Sequence, residues 1–235
     1  MRFPAPLIRG RFLTRSKRFF STVELESGER IIAHCPNPGS MMGLLEENAE
    51  VWISPAQNPN RKLRYTWELV RIGEGLVGIN TVLANRIVEE ALLTDRIPGL
   101  TGYASIRREV PYGQNSRVDF LLESGDKPRC YVEVKNVTLR LKDFAAFPDA
   151  VTTRGAKHLA ELANVVRSGG RAVLLYLVQR EDCTGFVLAE EIDPAYVEAA
   201  RVARAEGVES LCFSCRISAE TIALDRALPL AFRMA

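Results

Sequence analysis

SRVDFLLESGDKPRCYVEVKN, residues Ser116 to Asn136, sets three charges inside what otherwise reads as buried strand. In YVEVK, a period of two puts Val132 and Val134 on one face and Tyr131, Glu133 and Lys135 on the other. Glu133 and Lys135 therefore point the same way, about 7 Å apart at their Cα atoms. Asp119 sits between Val118 and Phe120 in an equally apolar segment. The link ESGDKPR is short and turn-rich, so the two segments are expected to pair as antiparallel neighbours. Asp119 and Glu133 then share one end of a sheet.

Two carboxylates at one sheet end repel each other and are costly to desolvate. A divalent cation removes that cost. Hard oxygen donors with positions left for water suit Mg²⁺ or Mn²⁺. A lysine beside them can orient a metal-bound water or stabilise charge on a phosphodiester transition state. The competing reading is a set of salt bridges on an exposed sheet face. The pairing on two adjacent strands, downstream of a helix carrying Glu89 and Glu90, favours the metal site.

The surrounding sequence divides near residue 78. Before it, GRFLTRSKRFFSTVELESGERIIAH, AEVWISPA and RKLRYTWELVRIGEG read as about five strands, with GLLEEN as one helical turn. That pattern predicts a small barrel over residues 1–78, OB-like in first place and SH3-like in second. Over residues 79–235 the predicted order is α-β-β-β-α-β-α, a mixed α/β domain. The first helix shows an apolar face of Val82, Ile87, Val88, Ala91 and Leu92. The run AVLLYLV, Ala172 to Val178, reads as a central strand and is too short to span a bilayer.

Composition limits the function classes. The 235 residues are 47% hydrophobic with a net charge of +2, so no global field demands a polyanionic partner. The N-terminus has no apolar h-region, and no membrane association is expected. Five scattered cysteines argue against a disulfide framework and for a reducing, cytoplasmic setting. Cys212 and Cys215 form a single C-x-x-C, and with no second pair they read as ordinary cysteines rather than zinc ligands. His34 reads as structural.

The flanking stretches are more specific than the triad. D…E-x-K on α-β-β-β-α-β resembles the PD-(D/E)xK nuclease superfamily, with Val118 in place of the literal proline. PNPGSM, SRVDF, YVEVKNVTL, FPDAVTTRGAKHL and IDPAYVEAARVARAEGVE resemble the sugar fermentation stimulation protein A family nearly end to end. The resemblance implies an OB-like domain followed by a restriction-endonuclease-like domain, and DNA binding without strong sequence preference. It also implies a link to sugar (maltose) metabolism, which leaves open a non-catalytic DNA-binding regulator. By the superfamily pattern, Asp119 and Glu133 would hold the metal, with the Val134 carbonyl as a third ligand. Lys135 would be the catalytic lysine, and Glu89 is a candidate further acid.

Two regions are expected to hold nucleic acid. Arg9, Arg11, Arg15, Lys17 and Arg18 are interleaved with Phe12, Phe19 and Phe20, a mixture suited to phosphate pairing and base stacking on a single strand. Arg61, Lys62 and Arg64 extend it. The alternative places the phenylalanines in the core. In the helix after the triad, Arg154, Lys157, His158 and Glu161 fall on one predicted polar face. Arg154, Lys157 and His158 then line a phosphate path, or the face is merely solvated. Thr152 or Thr153 can cap this helix, and Asp149 can cap it as well or reach the site, with capping preferred. DNA is the expected partner, with RNA binding or processing as another reading because OB-like barrels accept either polymer.

Overall fold

The computed structural model describes residues 1–58, 60–113 and 116–231. Strands β1 (Ile8–Ser16), β2 (Phe20–Leu25), β3 (Arg30–His34), β4 (Glu50–Pro55) and β5 (Tyr65–Ile72) form the N-terminal unit. They pair in the order β3-β2-β1-β4-β5, and β3 closes on β5 in parallel at Ala33↔Tyr65 and His34↔Thr66. The result is the expected OB-like closed five-stranded barrel. β6 (Gly75–Gly78) extends β5 as a hairpin.

Alternation builds the barrel's interior. Phe12, Val23, Ile31, Ala33, Val51, Ile53 and Trp67 all face inward, and the Phe12 and Trp67 rings stack at 5.0 Å. Each burial of a side chain of this size contributes about 1.5–3 kcal/mol. Gly10 is required where β1 crosses β2. A Cβ there would meet Val23 Cγ1 at 2.6 Å and the Glu24 carbonyl at 2.8 Å. GLLEEN forms turns instead of the expected helical turn, with Leu44 fully buried against the barrel core.

The second unit is a six-stranded sheet in the order β15-β14-β12-β9-β8-β7. Its strands are β7 (Ser105–Tyr112), β8 (Ser116–Glu123), β9 (Cys130–Val137), β12 (Arg171–Val178), β14 (Glu209–Ile217) and β15 (Ile222–Ala227). β7, β8 and β9 are antiparallel, whereas β9, β12 and β14 run parallel. The apolar run of β12 is the central strand, as its composition demands. Helix α1 (Leu83–Leu93) packs on one face, and α2 (Thr153–Arg167) and α3 (Pro194–Ala205) on the other. Val82 is not on the buried face of α1: it is the N-cap residue and is 69% exposed.

The predicted element order omitted five strands. β10 (Leu139–Leu141), β11 (Phe144–Phe147) and β13 (Gly185–Leu188) make a small separate sheet, and β14 and β15 complete the main one. Cys212 and Cys215 lie buried on β14 as ordinary strand residues, and all five cysteines are free. Thr152 caps α2 by accepting the Gly155 N–H. Asp149 does not cap it. Its carboxylate accepts from Ser40 Oγ at 3.3 Å and the Met41 N–H at 3.4 Å, tying the barrel loop Pro36–Met41 to the α/β unit.

Further contacts fix the two units against each other. The Gly78 N–H donates to the Gln179 carbonyl at 2.8 Å, and Thr81 Oγ1 donates to the Pro36 carbonyl at 2.8 Å. Gln179 Nε2 donates to Asn136 Oδ1 at 2.5 Å, one residue beyond Lys135. Among the described residues, no helix is long and apolar enough to cross a membrane.

Candidate active site

The sheet opens where the three charges sit. The β8–β9 register runs through Leu122↔Cys130, Leu121↔Tyr131 and Phe120↔Val132 and stops there. Beyond Phe120, Asp119 takes over the role of the ladder: its Oδ2 accepts the Val134 backbone N–H at 2.7 Å. The other oxygen, Oδ1, accepts from Asn85 Nδ2 of α1, also at 2.7 Å. The β7–β8 register likewise skips Asp119 and the residue facing it, Glu109.

Period-two alternation places Glu133 and Lys135 together on the α2 side of β9. Lys135 Nζ donates to Glu133 Oε1 at 2.8 Å. His158 of α2 hydrogen-bonds the same oxygen through Nδ1, and Arg154 Nε donates to His158 Nε2 at 3.3 Å. A guanidinium can only donate. Nε2 is therefore the acceptor from Arg154, and Nδ1 is the ring nitrogen that meets Glu133. Of the two readings of the polar face of α2, a phosphate path or a merely solvated face, this Arg154–His158–Glu133–Lys135 chain rules out the solvated one for His158, which is buried. His158 and Glu161 are buried, at 5% and 6% exposure. Lys157 is half-exposed beside Glu161 at 3.7 Å.

The two carboxylates do not share charge equally. Burial raises the Asp119 carboxyl above its ordinary value, the Glu133 charge adds to this, and the Val134 and Asn85 hydrogen bonds offset only part of it. Burial also opposes ionisation of Glu133, but the His158 hydrogen bond and the Lys135 ammonium outweigh it and hold that carboxyl low. Glu133 thus keeps its charge and Asp119 bears the strain. Glu133 Oε2 is buried and has no hydrogen-bond partner. A buried anionic oxygen left bare calls for a cation or water.

A cleft surrounds these groups. Thr81, Val82 and Asn85 line it from the α1 side, and Thr152, Arg154 and His158 from the start of α2. Arg108, Glu109, Asp119, Glu133, Lys135 and Asn136 form its floor, and it continues past Arg117 and Lys157. Glu89 is not among the lining residues. Its carboxylate is taken by Arg108 Nη1 at 2.9 Å. One turn earlier, Asn85 is the α1 residue that touches the triad. An asparagine in a mostly apolar helical segment gave no pattern by which to single it out. Among the described residues, no cluster of three or more His, Cys, Asp or Glu side chains is set to hold a metal ion.

The basic stretch on the barrel divides in two. Arg9 pairs with Glu50 and, at 4.0 Å, with Glu26. Arg15 is used internally: Nη2 donates to the Asn37 carbonyl at 2.7 Å and Nε to the Arg18 carbonyl at 2.8 Å. Arg11, Lys17 and Arg18 remain exposed with no acidic partner among the described residues. Phe12 is in the core, whereas Phe19 and Phe20 are 45% and 37% exposed. Phe19 stacks on His34 at 6.4 Å, and burial and the nearby Arg61 both lower the His34 pKa.

The model of the SfsA N-terminal OB domain matches residues 13–79. That of the sugar fermentation stimulation protein RE domain matches residues 82–221. Two curated relatives, both sugar fermentation stimulation protein homologs, are each 52% identical. One, from Paramagnetospirillum magneticum, spans 98% of both chains, and one, from Jannaschia sp., spans 98% of this chain and 97% of its own. The chain belongs to the sugar fermentation stimulation protein family.

The fold agrees. The solved structure titled as Pyrococcus furiosus SfsA in complex with Ca²⁺ superposes with a TM-score of 0.88 at 26% identity, covering 98% of this chain and 97% of that one. Within this family's second matched domain lie Asp119, Glu133, Lys135 and His158, together with Asn85 and Glu109. Arg9 and Arg11 precede the first matched domain, whereas Arg15, Lys17 and Arg18 fall inside it.

Proposed function

We propose that this protein binds DNA and hydrolyses phosphodiester bonds with a divalent cation, Mg²⁺ or Mn²⁺, held in the cleft. The observation that carries this reading is the meeting of Asp119, Glu133 and Lys135 at the sheet opening, with Glu133 Oε2 buried and bare. The donors fit such an ion. Asp119 and Glu133 offer hard carboxylate oxygens, and with the Val134 carbonyl they would be the protein groups that hold the ion, leaving room for water and substrate phosphate. That a relative's structure is described as a complex with Ca²⁺, another oxygen-seeking cation, supports the same chemistry.

The bound cation would supply Lewis-acid activation of a water and neutralisation of phosphate charge. The chain's own residues do the positioning. His158 and Lys135 hold Glu133 ionised and fix its orientation. Asn85 and the Val134 N–H lock Asp119 in place. Lys135, 13% exposed, faces the cleft, where its ammonium can hold an attacking water or a phosphate oxygen. Arg154 presents a further cation to the strand, and Arg11, Lys17 and Arg18 extend the phosphate-binding surface onto the barrel.

A second reading rests on one observation. Both Asp119 oxygens already have protein partners, which suits a binding protein that keeps the charges for structure. Cleavage assayed with Mg²⁺ or Mn²⁺ on single-stranded, duplex and branched DNA and on RNA separates the readings. Binding without cleavage on every substrate favours the regulator, and activity confined to RNA favours RNA processing.

A further inference from the structure

The cleft holds a third carboxylate that neither the motif nor the family match singles out. Glu109 lies on β7 directly across from Asp119, where Arg108↔Phe120 and Val110↔Val118 bracket the two skipped residues. Its backbone is left-handed, with φ at 51°, a conformation rare for glutamate within a strand. Glu109 lines both halves of the cleft alongside Asp119 and Glu133. It is exposed and has no ion pair or hydrogen bond among the described residues. The neighbouring acids are at least partly engaged: Glu89 by Arg108, Asp119 by Asn85 and Val134, and Glu133 Oε1 by Lys135 and His158.

We infer that Glu109 is a further cation-holding residue of the cleft, supplied by β7 opposite Asp119 and lining the same space as Glu133. The inference rests on the divalent-cation reading above. Acid clusters alone repel. As the side chains stand, the described acids form no ready cluster of three, but Glu133 Oε2 is buried without a partner and the exposed, unpartnered Glu109 lines the same cleft as Glu133, so a hard cation entering the cleft can draw on both residues. Glu109 thus takes the place that the superfamily pattern gave to Glu89. An acid on the first helix is committed to Arg108, and the acid on the neighbouring strand is left available.

The test is calorimetric titration of Mn²⁺ alone into the metal-free full chain, comparing wild type, Glu109→Gln, Glu109→Asp and Glu89→Gln. Glu109→Gln is expected to weaken Mn²⁺ binding by about tenfold or more, or to remove one bound equivalent. Glu109→Asp, which keeps the charge, should recover most of the binding, and Glu89→Gln should match wild type. Glu109→Gln that binds like wild type in affinity and stoichiometry overturns the inference and leaves the cation reading intact. An equal loss in Glu89→Gln also overturns it, by showing that only net charge matters. Wild type that binds no Mn²⁺ overturns the cation reading and this inference with it.

Discussion

Asp119 accepts the backbone N–H of Val134 at 2.7 Å, so one candidate ligand is locked to the strand carrying the other. This bond forms because β8 and β9 part after Phe120↔Val132. A side chain thus fills the gap left by the ladder, and the carboxylates cannot drift apart without breaking it. The arrangement holds two like charges close at a stability cost that His158 and Lys135 outweigh for Glu133, whereas for Asp119 the Val134 and Asn85 hydrogen bonds and the Lys135 charge offset only part of it.

The first consequence is a pH dependence. The Asp119 carboxyl is held above its ordinary value, so its ionisation costs folding free energy. That cost is absent below the unfolded range, about pH 4, and grows as pH rises toward the folded value. Glu133 runs the opposite way: its contribution is present above the unfolded value and is lost as pH falls through the lowered folded value. In urea melts without metal, Asp119→Asn should therefore gain on wild type as pH rises from about 4 to neutral. A difference that does not change with pH contradicts this account.

His158 should act as a positioning residue for Glu133. His158→Ala leaves a buried carboxylate short of a donor and should cost about 1–3 kcal/mol of stability. His158→Gln, which can still donate, should recover part of it. A phosphate-path role alone predicts normal stability for both variants and a loss only in DNA affinity, read by denaturant melts beside a binding titration.

The barrel prediction separates basic residues by what they touch. Arg11→Ala with Lys17→Ala should weaken DNA binding and lower the salt slope by about 1 per removed charge. Arg15→Ala should cost about 1–3 kcal/mol of stability, because the loop Pro36–Met41 loses its guanidinium donors. Salt titrations and thermal melts of the two variants check this. An unchanged salt slope in the double variant would exclude the barrel from phosphate binding.

A cation that binds only the folded chain raises its stability by mass action, about 2.7 kcal/mol at a hundredfold excess over the dissociation constant. Mn²⁺ should raise the melting temperature of wild type, and chelator should reverse it. Asp119→Ala should lose the rise. Equal rises in both would place the ion elsewhere.

Much of this was legible in the chain. Strict alternation around Val132 and Val134 fixed which face Glu133 and Lys135 share, because one face of β9 had to be apolar. The run Ala172 to Val178 reads as a central strand, and β12 is that strand. The short strands β10, β11 and β13 gave too few residues for a period to emerge. Arg15 looked like its neighbours because a sequence does not show which cation will meet four backbone carbonyls. For His158 the sequence left a phosphate path and a solvated face open, because helical spacing sets a face but not what packs there, and here the Glu133 carboxylate lies opposite it. Glu109 carried no signal at all, since its role depends on facing Asp119 across a sheet opening.

The most direct test of the central claim is cleavage of labelled DNA substrates with Mg²⁺ or Mn²⁺, wild type against Lys135→Ala, with binding measured on the same samples. The account predicts metal-dependent cleavage that falls by about a hundredfold or more in the variant while binding stays close to wild type. Equal cleavage by both proteins, or none by wild type on any substrate it binds, would contradict it.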